Sequence, residues 1–115
     1  MSNASARRAG LDACGPAPIF AALGDRTRLS LVRRLSDGSP RSIASLSADM
    51  AMTRQAVTKH LDVLKEAGLV AKSRVGRESR YSFRLEPIEE IRSYLDEVSR
   101  QWDDALGRLK SFVEG

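Results

Sequence analysis

The spacing of apolar residues along this chain changes period once, at Gly68. Before it, Val57, Leu61 and Leu64 recur at helical spacing; after it, Val70 to Val75 and Ser79 to Leu85 alternate as strands do. Thr53 opens the helical stretch as an N-cap, because its hydroxyl accepts a hydrogen bond from an amide that the first turn leaves unpaired, and Gly68 closes it. Gly76-Arg77-Glu78 supplies the turn between the two strands. A capped amphipathic helix that stops at a glycine and runs into a hairpin is the outline of a winged helix-turn-helix. The expectation is a mainly α fold with a small β-hairpin wing.

The helix turns Arg54, Gln55, Thr58, Lys59 and Asp62 away from its apolar stripe, with Lys65 in its last turn. Arg and Lys pair with guanine edges, Gln with adenine, and Thr with phosphate or a thymine methyl, so a face of this makeup suits a major groove. Any surface helix carries polar residues opposite its stripe, so the face alone decides little. The sequel adds weight, because Lys72, Arg74, Arg77, Arg80 and Arg84 crowd one hairpin against the single acid Glu78. A basic wing directly after such a helix favours nucleic acid over a solvated charge run. The expected DNA contacts are therefore Thr53, Arg54, Gln55, Thr58, Lys59, Lys65, Arg74, Arg77 and Arg80. His60 stands beside the stripe with Ala56 and Val63, and reads first as a half-buried packing residue and second as a phosphate contact.

Upstream the pattern is helical. Pro16 and Pro18 open a short apolar segment, IFAAL, that Gly24 ends. Asp25 caps a second helix with Leu29, Val32 and Leu35 as its expected stripe, and Asp37-Gly38-Ser39-Pro40 breaks it with turn chemistry. Ser42 then caps a brief helix carrying Ile43, Ala44 and Leu46, and Ala48 to Met52 bends into the helix at Thr53. Residues 1 to 15, rich in Ser, Ala, Gly and Arg, read as a flexible arm ahead of one domain spanning 16 to 115.

After Pro87, Ile88, Ile91, Leu95, Val98, Trp102, Ala105, Leu109 and Phe112 step by threes and fours, which is a heptad seam. Sustained over more than three heptads, it calls for another long helix, and a chain of 115 residues offers few. Self-association is the expectation, with the alternative that the helix folds back and Trp102 joins the chain's own core. A two-fold dimer sets its two recognition helices about one DNA turn, roughly 34 Å, apart and requires an inverted-repeat operator.

Charge is segregated along the chain. Residues 1 to 85 hold 15 basic and 7 acidic side chains, and residues 86 to 115 hold 4 and 8, so one face suits phosphates and another a protein partner. No run approaches the roughly 18 apolar residues of a membrane span, and no apolar region precedes Cys14 to make an export signal of Arg7, Arg8 and LDAC. The expected location is the cytoplasm, with no membrane partner.

Three ordered blocks, LGDRTRLSLVRRL, TRQAVTKHLDVLKEAGLV and GRESRYSFRL, resemble the ArsR-type winged-helix transcriptional regulators, and the resemblance runs from about Ile19 to Phe112. It implies a homodimer bound to operator double-stranded DNA, usually as a repressor, that lets go when an effector arrives. It also implies dimerisation through the first and last helices, hence through Ile19, Phe20 and Leu23 together with Ile91, Leu95, Val98, Trp102 and Leu109. By the same resemblance the first helix of the pair crosses the groove, which makes Ser42, Ser45 and Ser47 candidates for phosphate contacts.

The chain departs from the family's metal sensors. Their closely spaced cysteines on the first helix of the pair are replaced here by SIASLSADMA, and the last helix, with Asp96, Glu97, Asp103 and Glu114, has no histidine. One Cys and one His per chain are too few for a tetrahedral soft-metal site unless subunits share them. No metal or other cofactor is expected, and the effector is unknown. Cys14 reads as a bystander thiol, with a redox or metal sensor built on it as the lesser alternative. No nucleophile, base and orienting group converge in the sequence, and no glycine loop cradles a phosphate, so an enzyme is not expected. The better rival is a winged helix that binds protein, for which the Arg54, Gln55 and Lys59 face would be dispensable.

Overall fold

Each helix among the described residues begins where the sequence can satisfy or dispense with a first-turn amide. The computed structural model describes residues 15–115, so the expected arm up to Ala13, together with Cys14, lies outside the described residues. Pro16 starts α1 (Pro16–Leu23) with an amide it does not have to pair. In α2 (Arg26–Leu35) the Asp25 carboxylate accepts from the Arg28 amide at 3.0 Å. α3 (Ile43–Ser47) and α4 (Arg54–Glu66) are capped in the same way by Ser42, which accepts from the Ser45 amide, and Thr53, which accepts from the Ala56 amide.

α4 ends in a Schellman motif. Gly68, at φ 79°, passes its amide to the Lys65 carbonyl while Leu69 reaches back to Leu64, both at 2.9 Å. The chain then enters β2 (Val70–Val75) and returns as β3 (Glu78–Phe83), with Val75 paired to Glu78. The hairpin loop is thus two residues, Gly76-Arg77, and Glu78 belongs to the strand rather than to the turn. Gly76 at φ 66° in the first loop position is the glycine-first pattern of a type II′ turn.

A third strand lies outside the sequence expectation. β1 (Arg41–Ser42) pairs antiparallel with β3, Arg41 against Tyr81 and Ser42 against Arg80, so the sheet order is β1-β3-β2. Two residues cannot show a period, and their partners lie far along the chain, so only the folded backbone reveals the pairing. The pairing ties the start of α3 to the wing.

The core forms where α1, α2, α3 and α4 meet the inner ends of β2 and β3. Leu31, Leu35, Val57, Leu61, Leu64, Leu69 and Tyr81 have no exposed surface. One stripe is corrected: α2 buries Leu31 with Val32 and Leu35, while Leu29 is 47% exposed. Steps of three residues drift by about 60° per step around a helix of 3.6 residues per turn, which carries Leu29 past the edge of the buried arc.

α5 (Glu86–Glu114) spans 29 residues. Its first turns pack on α1, with Ile91 buried and the Tyr94 ring edge-on to Phe20 at 6.1 Å between centroids. Farther along nothing among the described residues covers it: Leu95, Trp102, Leu109 and Phe112 are 48%, 65%, 58% and 85% exposed. Among the described residues the helix does not fold back, and Trp102 lies outside their core. The Cα radius of gyration, 18.8 Å, well above the roughly 13 Å of a compact chain of this length, reflects that projection. No helix among the described residues is long and apolar enough to cross a membrane.

Candidate nucleic-acid interface

With its Val57, Leu61 and Leu64 stripe in the core, α4 has no freedom in which face it shows to solvent. Arg54, Gln55 and Lys59 are exposed, Thr58 is half-buried, and together with Ile43 from the start of α3 they line one shallow depression. The Thr58 hydroxyl donates to the Arg54 carbonyl at 2.7 Å, so its donor is used within the helix and its methyl and lone pairs are what remain. Thr53 and Ser42 hold their caps through hydroxyl lone pairs, which leaves each hydroxyl proton free to donate.

The basic residues of the hairpin are not equivalent. Arg80 is held by Glu78 at 2.7 Å and Arg84 by Glu86 at 3.3 Å, and the Lys72 ammonium sits 5.9 Å from the centroid of the Tyr81 ring. Arg74 and Arg77 make no ion pair among the described residues, and the same is true of Arg54 and Lys59 on α4. Cations without carboxylates are the ones that displace counterions when a polyanion arrives. Arg80 lies opposite Ser42 in the sheet, so the two face a common patch with Ser39 and Ser45.

Lys65 is exposed but sits apart, three turns along α4, over a recess bordered by Ile19, Pro87 and Arg84. His60 turns away from the outward face. Its Nδ1 lies 3.2 Å from Arg28 Nη1 and 3.8 Å from Asp25 Oδ2, where α2 begins. Arg28 also donates from Nε to the Ala22 carbonyl at 2.6 Å, so one guanidinium joins the end of α1 to the middle of α4. His60 is thus half-buried and packs beside Arg28 and the cap residue Asp25. Arg28 had no signal of its own in the sequence, because the partners of its guanidinium come from two other helices, α1 and α4. The Asp25 carboxyl is held below the ordinary range, first by the hydrogen bond from the Arg28 amide and further by the charges of Arg28 and His60.

Two residues assigned to a dimer surface are spent inside the chain. Ile19 is 1% and Ile91 8% exposed, each packed against the other helices of its own core. Phe20, Leu95, Trp102 and Leu109 retain exposed surface, and Leu23 and Val98 are half-buried. Among the described residues, no three His, Cys, Asp or Glu side chains converge as a metal site would require.

Comparison with known proteins agrees with the geometry. Residues 23–72 match a family model described as a helix-turn-helix domain. The chain is 36% identical over 101 residues to the HTH-type transcriptional regulator Rv2034 of Mycobacterium tuberculosis, covering 86% of this chain and 89% of that one. It is 38% identical over 79 residues to the uncharacterised HTH-type transcriptional regulator YuzN of Bacillus subtilis, covering 64% of this chain and 86% of that one. Among solved structures, an ArsR-like transcriptional regulator from Rhodococcus sp. RHA1 superposes with a TM-score of 0.74 at 35% identity, over 84% of this chain and 91% of that one.

Proposed function

The chain belongs to the ArsR-like helix-turn-helix transcriptional regulators, DNA-binding proteins rather than enzymes, and on that premise we propose that it grips an inverted-repeat operator as a homodimer and represses transcription there. The observation that carries the reading is the outward face of α4, where Arg54, Gln55, Thr58 and Lys59 stand together and neither cation has a carboxylate partner among the described residues. In this assignment α4 enters the major groove, Gln55 and Arg54 read base edges, and Lys59 with Arg74 and Arg77 of the wing meets phosphates. Ser42, Thr53 and Arg80 border the backbone, and Lys65 contributes only long-range attraction. Such a dimer works in the cytoplasm, where its operator is.

The exposed seam of α5, from Leu95 through Trp102 to Leu109, supports the dimer, since an apolar row of this length left in water seeks a second copy. Phe20 and Tyr94 extend that surface onto α1. Selection of bound sequences from random duplexes tests the whole reading: an enriched inverted repeat is expected, and enrichment of nothing overturns it in favour of a protein-binding winged helix. Gln55→Ala then relaxes base preference, losing about 1–3 kcal/mol at its own base pair, whereas Arg77→Ala weakens every sequence alike and flattens the salt dependence. Identical effects of the two on the selected operator and on random DNA, measured by titration, would undo the division between base reading and phosphate contact.

A further inference from the structure

The depression at the head of α4 has a floor that phosphate chemistry does not explain. Ile43 is the first residue of α3, half-buried against the core, and its remaining surface opens between Arg54, Gln55, Thr58 and Lys59. Thr58 adds a methyl rather than a donor, because its hydroxyl proton is committed to the Arg54 carbonyl at 2.7 Å. The floor of this notch offers a phosphate oxygen no donor; the donors, from Arg54, Lys59 and the Gln55 amide, stand only on its rim. It is well suited to a small apolar group carried on a polyanion.

We propose that Ile43 and the Thr58 methyl form a thymine-reading notch that takes the 5-methyl group in the major groove, making Ile43 a specificity-determining residue supplied by the supporting helix rather than by the recognition helix. The inference rests on the assignment of α4 to the major groove. The thymine methyl is the one apolar feature that unmodified DNA shows there. The rim agrees with that occupant: Lys59 draws the backbone close, and Gln55 is the side chain that pairs with adenine, so an A·T step satisfies amide and notch together. Each half-site therefore contains one thymine recognised through its methyl, beside the base pair that Gln55 reads.

Replacing thymines of the selected operator one at a time by deoxyuridine removes the methyl and nothing else. The expected result is a loss of roughly fourfold in affinity at one thymine per half-site, the worth of one buried methyl-sized group, and little change elsewhere. Ile43→Ala binds the thymine and uracil duplexes alike at that position. Should Ile43→Ala fail to fold, Thr58→Ser keeps the hydroxyl bond to Arg54 and removes only the methyl, and it also narrows the difference. An operator at which no uracil costs affinity, or at which both variants keep the full thymine preference, overturns the notch while leaving base reading by α4 intact. Absence of any enriched operator removes the base-reading assignment itself, and the notch with it.

Discussion

α4 and α5 carry the same kind of signal and meet opposite fates. Both are amphipathic helices with an apolar row at three- and four-residue steps. In α4 the row of Val57, Leu61 and Leu64 has no exposed surface, whereas in α5 Leu95, Trp102 and Leu109 are 48%, 65% and 58% exposed. Periodicity states that a face must be covered; it does not state by what. α4 is short and surrounded by α1, α2, α3 and β2, so its own chain covers it, while α5 runs roughly 43 Å at 1.5 Å per residue and leaves the domain behind after its first turns.

The sharpest way to break the contrast is to truncate one residue in each row and read folding and assembly separately. Leu61→Ala removes a fully buried side chain and costs about 2–5 kcal/mol of stability in denaturant unfolding, with dimerisation falling only as the fold does. Replacing Leu95 and Trp102 by Asp produces the reverse pattern. The variant keeps its helix content, sediments as a monomer and binds the operator at least tenfold more weakly, because each half-site loses its tethered twin. Undiminished dimer mass would show that α5 is covered by something other than a second copy.

A smaller effect tests how well the α4 side is packed. The Tyr81 hydroxyl is buried with no hydrogen-bond partner among the described residues, and burial, helped by the charge of Asp62, raises its pKa above the ordinary value of 10.0. The raised pKa means that the folded state keeps its phenolic proton after the unfolded chain has lost it. Its stability is therefore full below pH 10 and declines as pH rises beyond that. Tyr81→Phe removes an unsatisfied polar atom at constant shape, so stability is unchanged or higher by about 1 kcal/mol at neutral pH, and part of the alkaline decline disappears. Thermal unfolding at pH 7 and above pH 10 measures both, and a loss of 2 kcal/mol or more at pH 7 would mean that the hydroxyl has a partner after all.

Most of the winged helix was legible because its signals are local. Capping by Asp25, Ser42 and Thr53, the glycine stop at Gly68 and the basic hairpin each depend on a few adjacent residues, and each is where the sequence placed it, save that the second strand runs Glu78–Phe83 rather than Ser79 to Leu85. What went astray depends on distant partners. Leu29 was exchanged for Leu31 because the arc that α2 buries is set by α1 and α4. Ile19 and Ile91 were assigned outward because helical spacing cannot distinguish a residue that meets its own core from one that meets a second chain. His60, read first as a packing residue, meets Arg28 of α2 and the cap Asp25, partners its own helix does not name.

The amino-acid sequence by itself determined the elements, their caps and turns, the basic face and the family, since periodicity, capping chemistry and charge act over one or two turns of chain. Only the tertiary structure decided that a two-residue strand joins β3, that Arg28 of α2 reaches His60 of α4, and that Ile43 sits among the outward residues of α4. These are contacts between elements far apart in the chain. They depend on how helices and strands pack against one another, which no local pattern encodes.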